Sequence, residues 1–224
     1  MSRLRLINLG LPKSGTTTLA RALRRASLET ADHRIKPAQI PDEARHNAFV
    51  GQLMYDGYFS TGDPLALMPE FVAFSEINAL RNGLSLWPQM DFGVIYAIRQ
   101  NHPSAVFVQT WRPAEAISGS MQRWSNLGDT RLPKNDLPGL PLGYGGSHAE
   151  RVRWIEAHDR HLDQIFRGSD VFLRLDVAAP DAREQLSDFI DHPIKWWGHA
   201  NRSRPLDTAT AAQNDTPNDT TEAL

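Results

Sequence analysis

The 224-residue chain contains no cysteine. That excludes disulfides and thiolate metal sites, and it fits a reducing, cytoplasmic setting. The sequence also lacks any apolar run near the roughly 20 residues that a membrane-spanning helix needs. It has no excess of positive charge. Lys and Arg number 24 against 26 Asp and Glu, a formal net charge of −2, so bulk electrostatic attraction to nucleic acid is not expected. The opening stretch Met1–Leu9 is too short and too alternating for a secretory signal and reads as a strand. What is present is a 41% hydrophobic content, enough for one α/β domain, alone or with an appended lid.

An apolar run from Leu4 to Leu9 ends at Gly10. A glycine-containing loop follows, and then Leu19, Ala22, Leu23 and Ala26 recur at helical spacing, leaving Arg21, Arg24 and Arg25 off the stripe and facing solvent. Strand, loop and helix in this order begin an α/β fold. Residues 30–75 are broken by Pro37, Pro41, Gly57, Gly62 and Pro64 and show only short helical pieces. A helix is expected over 88–100 with Met90, Val94, Ile95 and Ile98 on one side. The compact run Ala105–Thr110 is the best second strand, and Pro113 suits the first turn of a helix carrying Ile117, Met121 and Trp124 on one face. Residues 125–146 are rich in Gly, Pro, Asn and Asp and read as a long lid or acceptor loop. Ser147 and Glu150 form a capping-box pattern before a helix with Val152, Ile155, Leu162, Ile165 and Phe166 inward. A strand over 171–175 and a helix over 180–190 complete a domain ending near residue 206. Residues 207–224 have almost nothing to bury and are expected to be a disordered tail.

The loop Gly10-Leu11-Pro12-Lys13-Ser14-Gly15-Thr16-Thr17 carries the chemistry. Glycines between a strand and a helix let backbone N–H groups converge on an anion, and the helix N-terminus adds the positive end of its dipole. Gly10 and Gly15 have the spacing of the nucleotide-kinase phosphate loop, but Thr16 stands where that loop has its lysine, and a lysine occurs inside the loop at Lys13. A kinase would also need a remote aspartate for magnesium. Asp176, after the 171–175 strand, has no second feature to support that role.

The stretch Leu11-Pro12-Lys13-Ser14-Gly15-Thr16-Thr17-Thr18-Leu19 closely resembles the 5′-phosphosulfate loop of sulfotransferases that use 3′-phosphoadenosine 5′-phosphosulfate, and is nearest to compact bacterial members. The resemblance extends over about residues 4–204. It implies a three-layer α/β/α fold with a central, mainly parallel sheet like that of P-loop nucleotide hydrolases. It also implies a donor site built from Pro12, Lys13, Ser14, Gly15, Thr16, Thr17 and Thr18, with Lys13 on the bridging oxygen and no metal required. The donor's 3′-phosphate is held in the family by an arginine at a strand end and a serine eight residues on. Arg112 and Ser120 have that spacing, with Ser118 a competing serine. The family's Arg-Lys-Gly segment is missing, and Arg131, Lys134, Arg202 or Arg204 could substitute.

The implied reaction moves a sulfuryl group to a hydroxyl or amine of a saccharide, lipid or small-molecule acceptor, leaving 3′-phosphoadenosine 5′-phosphate. Relatives use a histidine or an acid as general base, which singles out Glu76 and His33, with His158 and His161 read as structural or exposed. Trp111, Trp124 and Trp154 read as core or cleft walls, and Trp196-Trp197 as a cap on the sheet or a platform for adenine. Two alternatives stand beside this one: a small-molecule kinase using ATP and magnesium, and a non-catalytic nucleotide-binding protein on the same fold.

Overall fold

The computed structural model describes residues 4–81 and 83–198. The expected tail over 207–224, and Arg202 and Arg204, lie outside the described residues. Five strands, β1 (Arg5–Asn8), β2 (Thr30–Ala31), β3 (Ala73–Phe74), β6 (Ala105–Trp111) and β7 (Phe172–Asp176), form one sheet in the order β2-β3-β1-β6-β7. Every pairing in it is parallel, with Ile7 opposite both Phe74 and Phe107. Two further strands, β4 (Ala79–Arg81) and β5 (Leu84–Leu86), make a separate antiparallel hairpin.

Among the described residues, six α-helices accompany the strands: α1 (Thr16–Arg25), α2 (Val50–Thr61), α3 (Phe92–Asn101), α4 (Ala114–Gln122), α5 (His148–Ile165) and α6 (Ala182–Ile190). Successive residues of β1 point to opposite faces, as a strand requires. Leu6 packs with Leu19, Ala22 and Leu23 of α1 and with Leu186 and Ile190 of α6. Ile7 packs with Met54 of α2, Val94, Ile95 and Ile98 of α3, and Leu162 of α5. The expected three-layer α/β/α architecture is therefore present, and its central strands are apolar because both faces are covered.

A third cluster lies beyond the carboxyl ends of the strands. It joins Leu80 and Trp87 to Ile117 and Met121 of α4, to Trp154 and Ile155 of α5, and to Leu127, Leu132, Leu137 and Leu140. Residues 125–146 are thus not a bare loop. They contain one π-helical turn, Leu127–Arg131, and anchor themselves through four buried leucines.

The helix-start signal at Ser147 is realised in full. Its hydroxyl accepts from the Glu150 N–H at 3.2 Å, and Glu150 accepts from the Ser147 N–H at 3.0 Å. Three expectations are corrected. Met90 belongs to a separate 3₁₀ turn, Pro88–Met90, and packs on the third cluster instead of lying beside Val94. Arg24 is half-buried and pairs with Asp32 at 3.3 Å. Trp124 falls past the end of α4 and is 41% exposed instead of sharing the inward face of Ile117 and Met121.

Candidate functional site

In an open parallel sheet, ligands bind in the crevice outside the carboxyl ends of the strands, where connections diverge to either side. Here β1 sits between β3 and β6, and all three end at the same edge. Asn8, fully buried at the end of β1, ties these ends together. Its Oδ1 accepts from the N–H of Gly10 and of Thr110, each at 3.0 Å, and its Nδ2 donates to the Ser75 carbonyl at 3.0 Å. One polar residue in an apolar strand thereby fixes the start of the loop against both neighbours.

The loop from Gly10 to Gly15 closes tightly over β6. A side chain on Gly10 would place its Cβ 2.1 Å from Thr110 Oγ1 and 2.7 Å from the Thr110 carbonyl, so only glycine fits. Ser14 hydrogen-bonds Thr110 through their hydroxyls at 2.7 Å. Lys13 and Gly15 both take positive φ, 72° and 122°. This backbone leaves the N–H groups of Lys13, Gly15, Thr16 and Thr17 without an acceptor among the described residues, and α1 begins with no side-chain cap. Unpaired donors at a helix N-terminus form a cradle for an anion.

Glu76 follows β3 and reaches the same loop. Its Oε2 accepts from the Thr16 hydroxyl at 3.1 Å, and the neighbouring Ser75 hydroxyl donates to the Thr16 carbonyl at 2.7 Å. Burial pushes the Glu76 carboxyl up to about 7, with the charge of Asp32 adding to the rise. The Thr16 hydrogen bond and the charges of Lys13 and Arg131 oppose it. His33, at a positive φ of 58°, stands beside Glu76 with Nδ1 3.7 Å from Oε1. Its main chain is held on both sides: its N–H donates to the Glu76 carbonyl at 2.7 Å, and its carbonyl accepts from the Val50 N–H at 3.0 Å. Nδ1 also lies 3.3 Å from the Asn78 carbonyl. A carbonyl only accepts, so Nδ1 carries the proton there and Nε2 is left as an acceptor. Burial lowers the His33 pKa, which favours this neutral form.

Lys13 is half-buried and lies 4.7 Å from the centre of the Trp124 ring. Burial lowers its pKa; Glu76 opposes that, and the charges of Arg112 and Arg123 reinforce it. Arg112, at the end of β6, donates to the Lys13 carbonyl at 3.1 Å, so the strand-end arginine and the loop meet. Ser120 is buried on α4, 6% exposed. Ser118 is engaged elsewhere: its hydroxyl meets His148 Nδ1 at 2.9 Å and accepts from Arg151 Nε at 3.0 Å. The Thr18 hydroxyl donates to the Gly198 carbonyl at 3.1 Å, which turns it toward the late segment of the chain.

Beside the loop opens a cavity of about 310 Å³, bounded by Pro12, His33, Glu76, Trp124 and Arg131, with Trp87 in its wall. Lys13, Glu76 and His33 thus converge on one place although 63 residues separate the first two in sequence (76 − 13). Arg131 joins this wall, where it donates to the Leu80 carbonyl. The remaining aromatic candidates and His158 have packing or hydrogen-bond partners of their own. Trp154 is buried in the third cluster, Trp111 donates to Asp159 at 3.0 Å, and Trp196 and Trp197 pack against the α1 and α6 face. His158 is buried and donates through Nε2 to the Leu9 carbonyl at 2.8 Å, while His161 is exposed. Asp176 caps its own turn by accepting from the Ala178 N–H.

Asn8, Thr110 and Arg81 were not singled out by sequence reasoning. The one available signal for the first two was a polar side chain inside an apolar strand. Among the described residues, no helix is long and apolar enough to cross a membrane. The chain matches no protein-family model, and no curated protein matches it significantly.

Proposed function

We propose that the protein is a sulfotransferase that moves a sulfuryl group from 3′-phosphoadenosine 5′-phosphosulfate to a hydroxyl or amine in the 310 Å³ cavity. The observation that carries this reading is the loop itself. Four N–H groups without an acceptor among the described residues lie at an anion cradle whose cation is the internal Lys13, and the kinase lysine position is filled by Thr16, whose hydroxyl donates to Glu76.

The residues present fit such a donor. The amides of Lys13, Gly15, Thr16 and Thr17 suit the 5′-phosphosulfate, with the Lys13 ammonium positioned to meet charge developing on the oxygen that leaves sulfur. Arg112 is a half-buried guanidinium on the loop, and no described acid pairs with it, as a 3′-phosphate site on β6 requires. Glu76 is the general base. A carboxylate with a pKa near 7 ionises at neutral pH yet still holds a proton well once it has taken one. His33, neutral and offering Nε2 at the cavity, accepts a hydrogen bond from the acceptor and orients it.

A second reading has one observation in its favour. Glu76 follows the strand adjacent to β1 and accepts from the Thr16 hydroxyl, the placement of an acid that could hold magnesium for phosphoryl transfer from ATP. The reading lacks the lysine after Gly15.

The test is Lys13→Ala. Formation of 3′-phosphoadenosine 5′-phosphate from the donor, in the presence of pooled hydroxylated acceptors, is expected to fall at least about 100-fold, as for loss of an electrostatic stabiliser. The melting temperature is expected to hold, because the side chain is only half-buried. Undiminished turnover in this variant would refute the assignment.

A further inference from the structure

The charges around the cavity do not match those of the protein. The chain as a whole carries a formal charge of −2. Yet Lys13, Arg81, Arg112, Arg123 and Arg131 gather near the loop and cavity, and none of them is in an ion pair among the described residues. On the reading above, the donor's phosphate and sulfate groups occupy Lys13 and Arg112. Of the other three, Arg81 and Arg131 line the acceptor cavity and Arg123 does not. The one carboxylate in that wall is Glu76, which burial drives toward its neutral form.

Each of the two arginines is placed by structure. Arg131 ends the π-helical turn, donates through its guanidinium to the Leu80 carbonyl, and lies over the Trp124 ring at 5.6 Å. Arg81 ends β4 immediately after Leu80 and is exposed at the cavity mouth. Burial lowers the pKa of Arg131, the charge of Arg81 lowers it further, and the charge of Glu76 opposes both. Holding two like charges beside one cavity costs free energy unless an anion comes between them.

We propose that the acceptor is a small anion, a hydroxyl compound bearing a carboxylate or phosphate group that Arg81 and Arg131 bind while its hydroxyl faces Glu76 and His33. This rests on the sulfotransferase reading. The cavity sets the size. A sphere of 310 Å³ is about 8 Å across, at the small end of ligand pockets, so a single sugar ring or substituted phenol fills it. Trp87 and Trp124 are the aromatic residues in its wall. In the transfer, the acceptor O–H gives its proton to Glu76 and its oxygen bonds to sulfur. The bond from sulfur to the bridging oxygen breaks, and that oxygen leaves on 3′-phosphoadenosine 5′-phosphate with the electron pair.

The test uses the full-length protein with the donor and three matched probes: glucuronate against glucose, glucose 6-phosphate against glucose, and 4-hydroxybenzoate against its neutral amide. Sulfated product is measured by mass spectrometry. At least one anion is expected to exceed its neutral partner about 10-fold or more in kcat/KM, the size of one charge-assisted contact. The carboxylate and phosphate arms show which anion is preferred. Arg81→Gln, an exposed substitution that leaves packing alone, is expected to remove most of that preference, read as the ratio of anion to neutral kcat/KM. Arg131→Gln, with its melting temperature unchanged, is expected to lower that preference as well, read as the ratio of anion to neutral turnover. Equal turnover of anions and neutral partners, or a preference untouched in Arg81→Gln, overturns the proposal. If no probe is sulfated, equilibrium dialysis of the three anions against the protein saturated with 3′-phosphoadenosine 5′-phosphate decides it. Binding lost in Arg81→Gln supports the anion site, and no such binding overturns it. Failure of the protein to bind 3′-phosphoadenosine 5′-phosphate at all overturns the sulfotransferase reading instead.

Discussion

Replacing the proposed base with its neutral isostere should stabilise the protein, and do so more as pH rises. Glu76 has its carboxyl pushed from 4.5 to about 7, burial being the largest cause. In the unfolded chain the group ionises near the lower value and in the folded protein near the higher. Between the two, the folded state holds the proton and the unfolded state has released it. Stability therefore falls as pH rises through this window, by up to about 1.4 kcal/mol per pH unit, and stays low above it. The full cost is about 3 kcal/mol, from 2.5 units (7 − 4.5) at that slope. Glu76→Gln keeps an oxygen for the Thr16 hydroxyl and removes the titration. Its advantage over the wild type should be about 1 kcal/mol near pH 5 and about 3 kcal/mol near pH 8, read from urea denaturation of both proteins at each pH. Sulfuryl transfer should be lost in the same variant, so function and stability oppose each other at this residue. An advantage that does not change with pH, or a less stable variant at pH 8, would refute the buried-base argument.

Other consequences are independent of that one. The wild-type kcat/KM should rise with pH along a limb centred near 7 as Glu76 ionises, a limb retained in His33→Gln. Gly10→Ala should cost about 2–3 kcal/mol in denaturant unfolding, since its Cβ would meet a backbone carbonyl of the central strand β6 at 2.7 Å and overpacking of this kind costs roughly 1–3 kcal/mol. Asn8→Ala should cost a similar amount, because it strands the buried N–H groups of Gly10 and Thr110 and the Ser75 carbonyl. Arg112→Ala should weaken binding of 3′-phosphoadenosine 5′-phosphate about 10- to 100-fold in calorimetry, as loss of a charged hydrogen bond does, while leaving its adenosine 5′-phosphate relative unaffected.

The parts of this protein that sequence made legible are those governed by local periodicity and local chemistry. The strand–loop–helix at Leu4–Ala26, the capped helix from Ser147 and the strand at 105–110 each announce themselves within a dozen residues, and each is present. The strands β2 and β3 do not, because two residues each carry no period; they exist because β1 supplies parallel partners for Ala73 and Phe74. For the same reason Glu76 could be suspected by position but not placed beside Thr16, a contact made across the sheet edge. Residues 125–146 read as loop because glycine and proline dominate their composition. Their four buried leucines are spaced too irregularly for any helix, and only the third cluster shows what they bury. Arg81 illustrates the limit of sequence reading most plainly: nothing local distinguishes it from any other surface arginine, and its meaning comes from the cavity it faces.

The central claim is that the loop at Gly10–Thr17 holds the phosphosulfate end of a nucleotide without needing a metal. Calorimetric titration with 3′-phosphoadenosine 5′-phosphate in the presence of a chelator, set against ATP with magnesium, tests it most directly. The account predicts one-to-one binding of the bisphosphate that persists with the chelator, is stronger than that of ATP with magnesium, and is weakened in Lys13→Ala. Binding of ATP that requires magnesium and exceeds that of the bisphosphate would contradict it and favour phosphoryl transfer.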